Sequence, residues 1–255
     1  MDIFLNPDAW IALLTLTFLE IVLGIDNIIF ISIATGKLPE EKRKKATKIG
    51  MFLAMFMRIA LLLGINLLIQ MKKPWATIDW GWLQAGITGQ SIILLLGGLF
   101  LIYKSTNEIR EKVDEKGQEE KELGKAATKS FQSVILQIIM IDLVFSFDSI
   151  LTAVGMTNGV HGAIYIMITA VIVSVIIMMQ FAVPVGNFVN KNPPIQILGL
   201  SFLILIGFML LTESAHLSNA SIFGSHVTPV PKGYLYFAIS FSLFVEILNM
   251  KSKKK

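Results

Sequence analysis

The sequence predicts an all-α membrane protein with about seven transmembrane helices, and three observations carry that prediction. Apolar residues make up 54% of the 255 residues and the mean hydropathy is +0.69, well above that of a soluble domain. The charged residues, 16% of the chain, collect between long apolar stretches rather than along them. Those stretches are unbroken, whereas the strands of a membrane barrel would alternate apolar and polar residues.

Taken in order, the apolar stretches place spans at about Ala9–Ala34, Thr47–Met71, Gln90–Tyr103, Phe131–Val154, Ala163–Val185, Ile195–Leu211 and Tyr234–Met250. Each approximates the ~20 helical residues that cross a ~30 Å hydrocarbon core. The third is short and is expected to gain length back toward Leu83. The result is a single transmembrane domain with a first repeat over about 9–105 and a charged cytoplasmic loop over about 104–129. A second repeat follows over about 131–213, then a final helix over about 234–250. Within the loop, Asn107–Glu122 alternates acids and bases at the spacing of a solvated helical face. The first apolar stretch is too long and too acidic for a cleavable signal peptide.

Basic residues set the orientation. Eighteen of the 22 Lys and Arg residues fall in the tail and the loops of one side, against Lys72, Lys73 and Lys232 on the other, with Arg58 inside a span. The N-terminus is therefore expected outside and the C-terminus in the cytoplasm. The same rule accounts for the net charge of +4 without nucleic acid as a partner. The absence of cysteine excludes disulfides and thiolate metal sites.

Two short acidic stretches carry the chemistry. They read Glu20-Ile-Val-Leu-Gly-Ile-Asp26-Asn27-Ile-Ile and Asp142-Leu-Val-Phe-Ser-Phe-Asp148-Ser149-Ile-Leu, and they match position by position. They lie three spans apart, and an odd offset gives them opposite orientations in the bilayer. That is the mark of inverted three-helix repeats, which in many secondary transporters hold substrate near the midplane. Gly98-Leu-Phe-Leu-Ile and Gly207-Phe-Met-Leu-Leu form a weaker echo, offset by 109 residues rather than 122.

Ionisable groups in hydrocarbon cost several kcal/mol each and usually line a pathway or a site. In an unbroken helix residues seven apart share a face, ~20° out of register, while residues six apart diverge by ~120°. Glu20 and Asn27 therefore share a stripe, as do Asp142 and Ser149. Bringing Asp26 and Asp148 to the same place calls for a local irregularity, expected at the small residues Gly24 and Ser146. Four carboxylates on one cavity repel unless protonated or paired with a cation. The donors Glu20, Asp26, Asn27, Asp142, Asp148 and Ser149 are all oxygen, which suits divalent ions such as Mn²⁺, Mg²⁺ or Ca²⁺. No organic cofactor is expected. The histidines, His161, His216 and His226, fall in or beside outward loops, and the 12 methionines read as packing.

The paired acidic motifs closely resemble those of the TerC family of bacterial integral membrane proteins. The likeness continues through Leu94-Leu-Leu-Gly-Gly-Leu-Phe-Leu-Ile, Leu200-Ser-Phe-Leu-Ile-Leu-Ile-Gly-Phe and Val230-Pro-Lys-Gly-Tyr-Leu-Tyr-Phe-Ala, and so covers nearly the whole chain. The resemblance implies a multi-pass protein of the bacterial inner membrane, grouped with LysE-like transporters. It further implies export of a metal ion, Mn²⁺ above others, with the six oxygen-bearing residues as the carried-over site.

Other polar residues take secondary roles. Arg58, mid-span, is expected to pair with a carboxylate or reach a carbonyl cage, as packing or as a gate. Gln137, aligned with Thr15, either lines the same path or bonds between helices. Glu246 is expected to snorkel to the cytoplasmic edge, and Glu213, His216 and His226 to sit in solvated loops. Two function classes compete with a secondary exporter: an aspartyl-type hydrolase using Asp26 and Asp148, and an accessory membrane subunit. No phosphate-cradling motif is present, so ATP-driven pumping by this chain is not expected. The expected partners are a metal ion and the lipid bilayer; whether copies associate is left open.

Overall fold

The computed structural model describes residues 7–118, 130–157, 160 and 162–252, with side chains at all of these except 25, 26 and 115–118. Twelve elements follow in chain order. They begin with helices α1 (Pro7–Gly36), α2 (Glu40–Leu63) and α3 (Ile65–Gln70), strands β1 (Pro74–Asp79) and β2 (Leu83–Thr88), and helix α4 (Gly89–Gln118). Helices α5 (Phe131–Met156), α6 (Ala163–Lys191) and α7 (Pro193–Leu217), strands β3 (Ser221–Ile222) and β4 (Ser225–His226), and helix α8 (Lys232–Ser252) complete them. Seven of the described helices (α1, α2 and α4–α8) are long and apolar enough to cross a membrane. The spanning part is all-α and multi-pass.

Helix ends depart from the apolar boundaries for local reasons. The second span starts earlier than expected, at Glu40, because Glu40 and Glu41 suit the positive end of a helix. It also stops earlier, at Leu63, and the rest of the expected span forms the short α3. The third span lengthens forward instead of back. Leu83–Thr88 is strand, and the helix opens with a reciprocal cap: Thr88 N–H donates to Ser91 Oγ at 3.1 Å and Ser91 N–H to Thr88 Oγ1 at 3.0 Å. Past Tyr103 the chain stays helical to Gln118, so the expected cytoplasmic loop is helix over its first half. There Lys104 pairs with the buried Glu108 at 2.8 Å and Arg110 with Asp114 at 3.6 Å, one turn apart. The rest of that loop, residues 119–129, lies outside the described residues, as does His161. The α7 helix starts on Pro193 and Pro194, whose fixed φ suits a first turn.

The chain divides into two compact units. The first, Met1–Asn66 with Ala127–Lys191, contains α1, α2, α5 and α6. Its core lies where α1 packs along α6 and α5, and α2 along α5 and α6.

The second unit, Leu67–Ala126 with Asn192–Lys255, contains β1, β2, α4, α7, β3, β4 and α8. Here α4 and α7 cross at the two echoed glycines. A Cβ on Gly98 would stand 2.7 Å from the carbonyl oxygen of Gly207, and one on Gly207 would stand 2.8 Å from that of Gly98. Only glycine permits this reciprocal approach of backbones. Ser214 Oγ donates to the Ser91 carbonyl at 2.6 Å across the same pair of helices. The unit also holds an element that the hydropathy pattern did not reveal, an antiparallel sheet in the order β1-β2-β3-β4. Its turns carry the exposed rings of Trp80, Trp82 and Phe223, with Trp82 6.3 Å from Trp80 and 6.0 Å from Phe223.

Candidate functional site

The first unit buries three charges in contact. Glu20 of α1, Arg58 of α2 and Asp142 of α5 are 6%, 4% and 6% exposed. Each reaches the interior by helical periodicity. Arg58 falls on the buried stripe of α2 formed by Met51, Ala54 and Leu62, so its guanidinium enters the core. Its Nη2 donates to Asp142 Oδ1 at 2.6 Å and its Nε to Asp142 Oδ2 at 3.1 Å, a two-pronged grip on one carboxylate. Its Nη1 donates to Glu20 Oε2. One guanidinium thus holds two carboxylates from two different helices, and the cluster keeps one net negative charge.

Asp142 is held further. Asn27 Nδ2 donates to Oδ1 at 3.4 Å and Ser146 Oγ to Oδ2 at 3.0 Å. Asn27 lies seven residues after Glu20 on α1, and Ser146 four residues after Asp142 on α5, so both ride the stripes that carry the carboxylates. Ser149, seven after Asp142, is also buried, but its hydroxyl donates to the Ser146 carbonyl at 3.3 Å.

The structure corrects one expectation about these helices. Both α1 and α5 run unbroken through Gly24 and Ser146, with no unwound turn at either. Gly24 is small because Met178 of α6 lies on it: a Cβ there would run into the Met178 sulfur. Ser146 is fully buried and serves as a donor to Asp142 rather than as a hinge. Asp148 consequently stays on another face of α5, half-buried, about 120° from Asp142. The Asp26 side chain lies outside the described residues. Gln137 does not join the cluster, and its buried Nε2 has no hydrogen-bond partner among the described residues. Among those residues no group of three or more His, Asp or Glu side chains gathers at metal-holding spacing. The cation that buried carboxylates demand is supplied here by Arg58.

Two pockets flank the cluster. One, of about 300 Å³, is walled by Gly24 and Asn27 of α1, Met51 and Met55 of α2, Met178 of α6, and by Arg58 and Asp142 themselves. The other, of about 230 Å³, is walled by Leu16 and Glu20 of α1, Leu62 of α2, Ile150 of α5, and Met167 and Val171 of α6. Passing from the second pocket to the first means moving up the sequence in α1 and α6, and down it in α2 and α5. Helix α1 is therefore antiparallel to α5, and α2 to α6. Asn27 Oδ1, at the first pocket, is a buried acceptor with no donor among the described residues.

Two features escaped the sequence reading. The donor role of Ser146 was one, since the sequence reading took that residue for a hinge although a hydroxyl four residues after a buried acid was the available signal. The other was the arrival of Met178 of α6 beside Met51 and Met55, which lie one turn apart on α2.

The model of the family described as "Integral membrane protein TerC family" matches residues 5–254. The chain belongs to the TerC family. Its TerC relatives include the UPF0053 inner membrane protein YgdQ of Escherichia coli K12, 45% identical over 250 residues, 98% of this chain and 96% of the relative. A UPF0053 protein of Haemophilus influenzae is 42% identical over 98% of this chain and 96% of its own length. The UPF0053 inner membrane protein YoaE of E. coli K12 is 39% identical over 100% of this chain, which spans 45% of that longer TerC relative. No solved structure matches the chain. With its spanning helices and these relatives, the chain is a multi-pass inner-membrane member of the TerC family.

Proposed function

We propose that this protein is a secondary transporter that exports a divalent metal cation, Mn²⁺ first among the candidates, through an intramembrane site at the interface of two inverted repeats. Its donors in this reading are Glu20, Asn27 and Asp142 at the cluster, with Asp26, Asp148 and Ser149 contributing elsewhere along the path and Arg58 as the resident counter-charge. The observation that supports it most is the pair of pockets meeting one Arg58-bridged carboxylate pair from opposite sides. Such an arrangement offers an ion two approaches and one central barrier, which is what alternating access needs.

The chemistry follows from charge balance. With no cargo, Arg58 neutralises half of the buried acid charge, which lowers the cost of the closed core in hydrocarbon. A dication entering beside Asn27 competes with the guanidinium for Asp142, whose orientation is kept by Asn27 and Ser146. Arg58 keeps its second anchor on Glu20 and can return when the ion leaves. Carboxylates that release a metal can take up H⁺, which would couple outward metal movement to inward proton movement. A hydrolase draws no support from this geometry: Glu20 and Asp142 face a guanidinium rather than a shared water, and Asp148 stands on another face of α5.

The test is Mn²⁺ flux in proteoliposomes under an imposed pH gradient. Flux that rises with the gradient, and is lost in Asp148→Asn protein that still inserts, supports the reading. Absence of Mn²⁺ flux from the intact protein overturns it. Flux that ignores the gradient removes proton coupling alone.

A further inference from the structure

The transport reading leaves open how a site of carboxylates and amides would tell a scarce transition metal from abundant Mg²⁺ and Ca²⁺. Oxygen donors alone do this poorly, since all of these ions accept carboxylate and carbonyl oxygen. The pocket beside Asp142 contains a second kind of donor. Three methionines from two helices, Met51 and Met55 of α2 and Met178 of α6, stand in its wall with Asn27 and Asp142. Met51 and Met178 are 4% and 5% exposed, so neither faces lipid. The sulfur of Met178 in particular is turned to Gly24, another wall residue, and occupies the place where a side chain at position 24 would go. On the same wall Asn27 Oδ1 is buried and lacks a donor among the described residues, while its Nδ2 is committed to Asp142. An orphaned buried acceptor is costly, and a cation arriving in the pocket would relieve it.

We infer that this pocket is a mixed oxygen and thioether site. Met178 sulfur, backed by Met51, acts with Asn27 Oδ1 and the Asp142 carboxylate to select transition-metal dications over Mg²⁺ and Ca²⁺. The chemistry is that of donor softness. A thioether is neutral and polarisable; it binds d-block dications, and most strongly the soft Cd²⁺, but gains nothing with Mg²⁺ or Ca²⁺ in exchange for their hydration shells. Replacing one water of the incoming ion by sulfur thus costs Mn²⁺ less than it costs Mg²⁺ or Ca²⁺. It also accounts for the glycine at position 24, since any larger residue would displace the sulfur from the wall. The inference rests on the transport reading above and specifies the substrate class at that site.

The experiment compares wild-type protein with Met178→Leu, which preserves volume and removes sulfur, in proteoliposomes loaded with a divalent-sensitive dye. For the wild type, Cd²⁺ should block Mn²⁺ flux at concentrations far below those at which Mg²⁺ or Ca²⁺ have any effect. In Met178→Leu protein, Cd²⁺ potency and the preference for Mn²⁺ over Mg²⁺ should each fall about tenfold or more. Should Met178→Leu protein fail to fold, Met51→Leu is expected to lower the same two ratios in the same direction. Wild-type flux with both ratios unchanged in the folded variants overturns the thioether inference and leaves the transport reading standing. A wild-type protein that moves no divalent cation overturns both.

Discussion

Replacing Arg58 with Met removes the one positive charge between two buried carboxylates while roughly preserving side-chain length. The guanidinium makes contacts with Asp142 at 2.6 and 3.1 Å and a further one with Glu20. At ~3 Å and an effective dielectric near 20, a unit-charge contact is worth roughly 5 kcal/mol before desolvation is counted. Desolvation offsets much of that while the pair is intact, but breaking a buried pair strands its partner and costs about 3–5 kcal/mol. Here two partners are stranded, each 6% exposed, so the upper end applies. For a chain of this size ~1 kcal/mol moves the midpoint by about 2–4 °C, so Arg58→Met should melt roughly 10–20 °C below wild type. The assay is thermal unfolding in detergent, followed by tryptophan fluorescence and monodispersity. The triple variant Arg58→Met, Glu20→Gln, Asp142→Asn carries no charge in the cluster and should recover most of the loss. An Arg58→Met protein as stable as wild type, or a triple variant no better than the single, would refute the reasoning.

Other outcomes follow from the packing. Gly98→Ala and Gly207→Ala each set a methyl against a backbone carbonyl at 2.7–2.8 Å, so α4 and α7 must separate. Each should cost about 1–3 kcal/mol in the same melting assay, and a variant as stable as wild type would show that the helices are not so close. Ser146→Ala removes a fully buried donor to Asp142 at 3.0 Å and should cost about 1.5–3 kcal/mol; an unchanged midpoint would show that the bond is not formed.

Much of the spanning architecture could be read from the chain, because hydropathy acts over a whole helix and a carboxylate in hydrocarbon is conspicuous. The stripe shared by Glu20 and Asn27 followed from helical periodicity alone. So did the need of Arg58 for an acidic partner, since an unpaired guanidinium among Met51, Ala54 and Leu62 would be too costly. Other features depend on distant contacts. Gly24 suggested a broken turn, yet its reason is the sulfur of Met178, more than 150 residues further on. Asp148 repeated Asp26 so closely that convergence was expected, but an unbroken α5 turns it away from Asp142. The helix past Tyr103 was, by contrast, partly legible, since Asn107–Glu122 alternates acids and bases at helical spacing, and Lys104 pairs with Glu108 one turn on. The four-stranded sheet was hidden in segments only two to six residues long.

The carboxylates under Arg58 can be put to the question with one comparison: Mn²⁺ flux by wild type and by Asp142→Asn, reconstituted side by side at equal insertion. If Asp142 meets the cargo, Asn at that position should reduce the flux about a hundredfold or more while the protein remains folded. Flux at the wild-type rate through folded Asp142→Asn protein would mean that the ion does not pass this cluster.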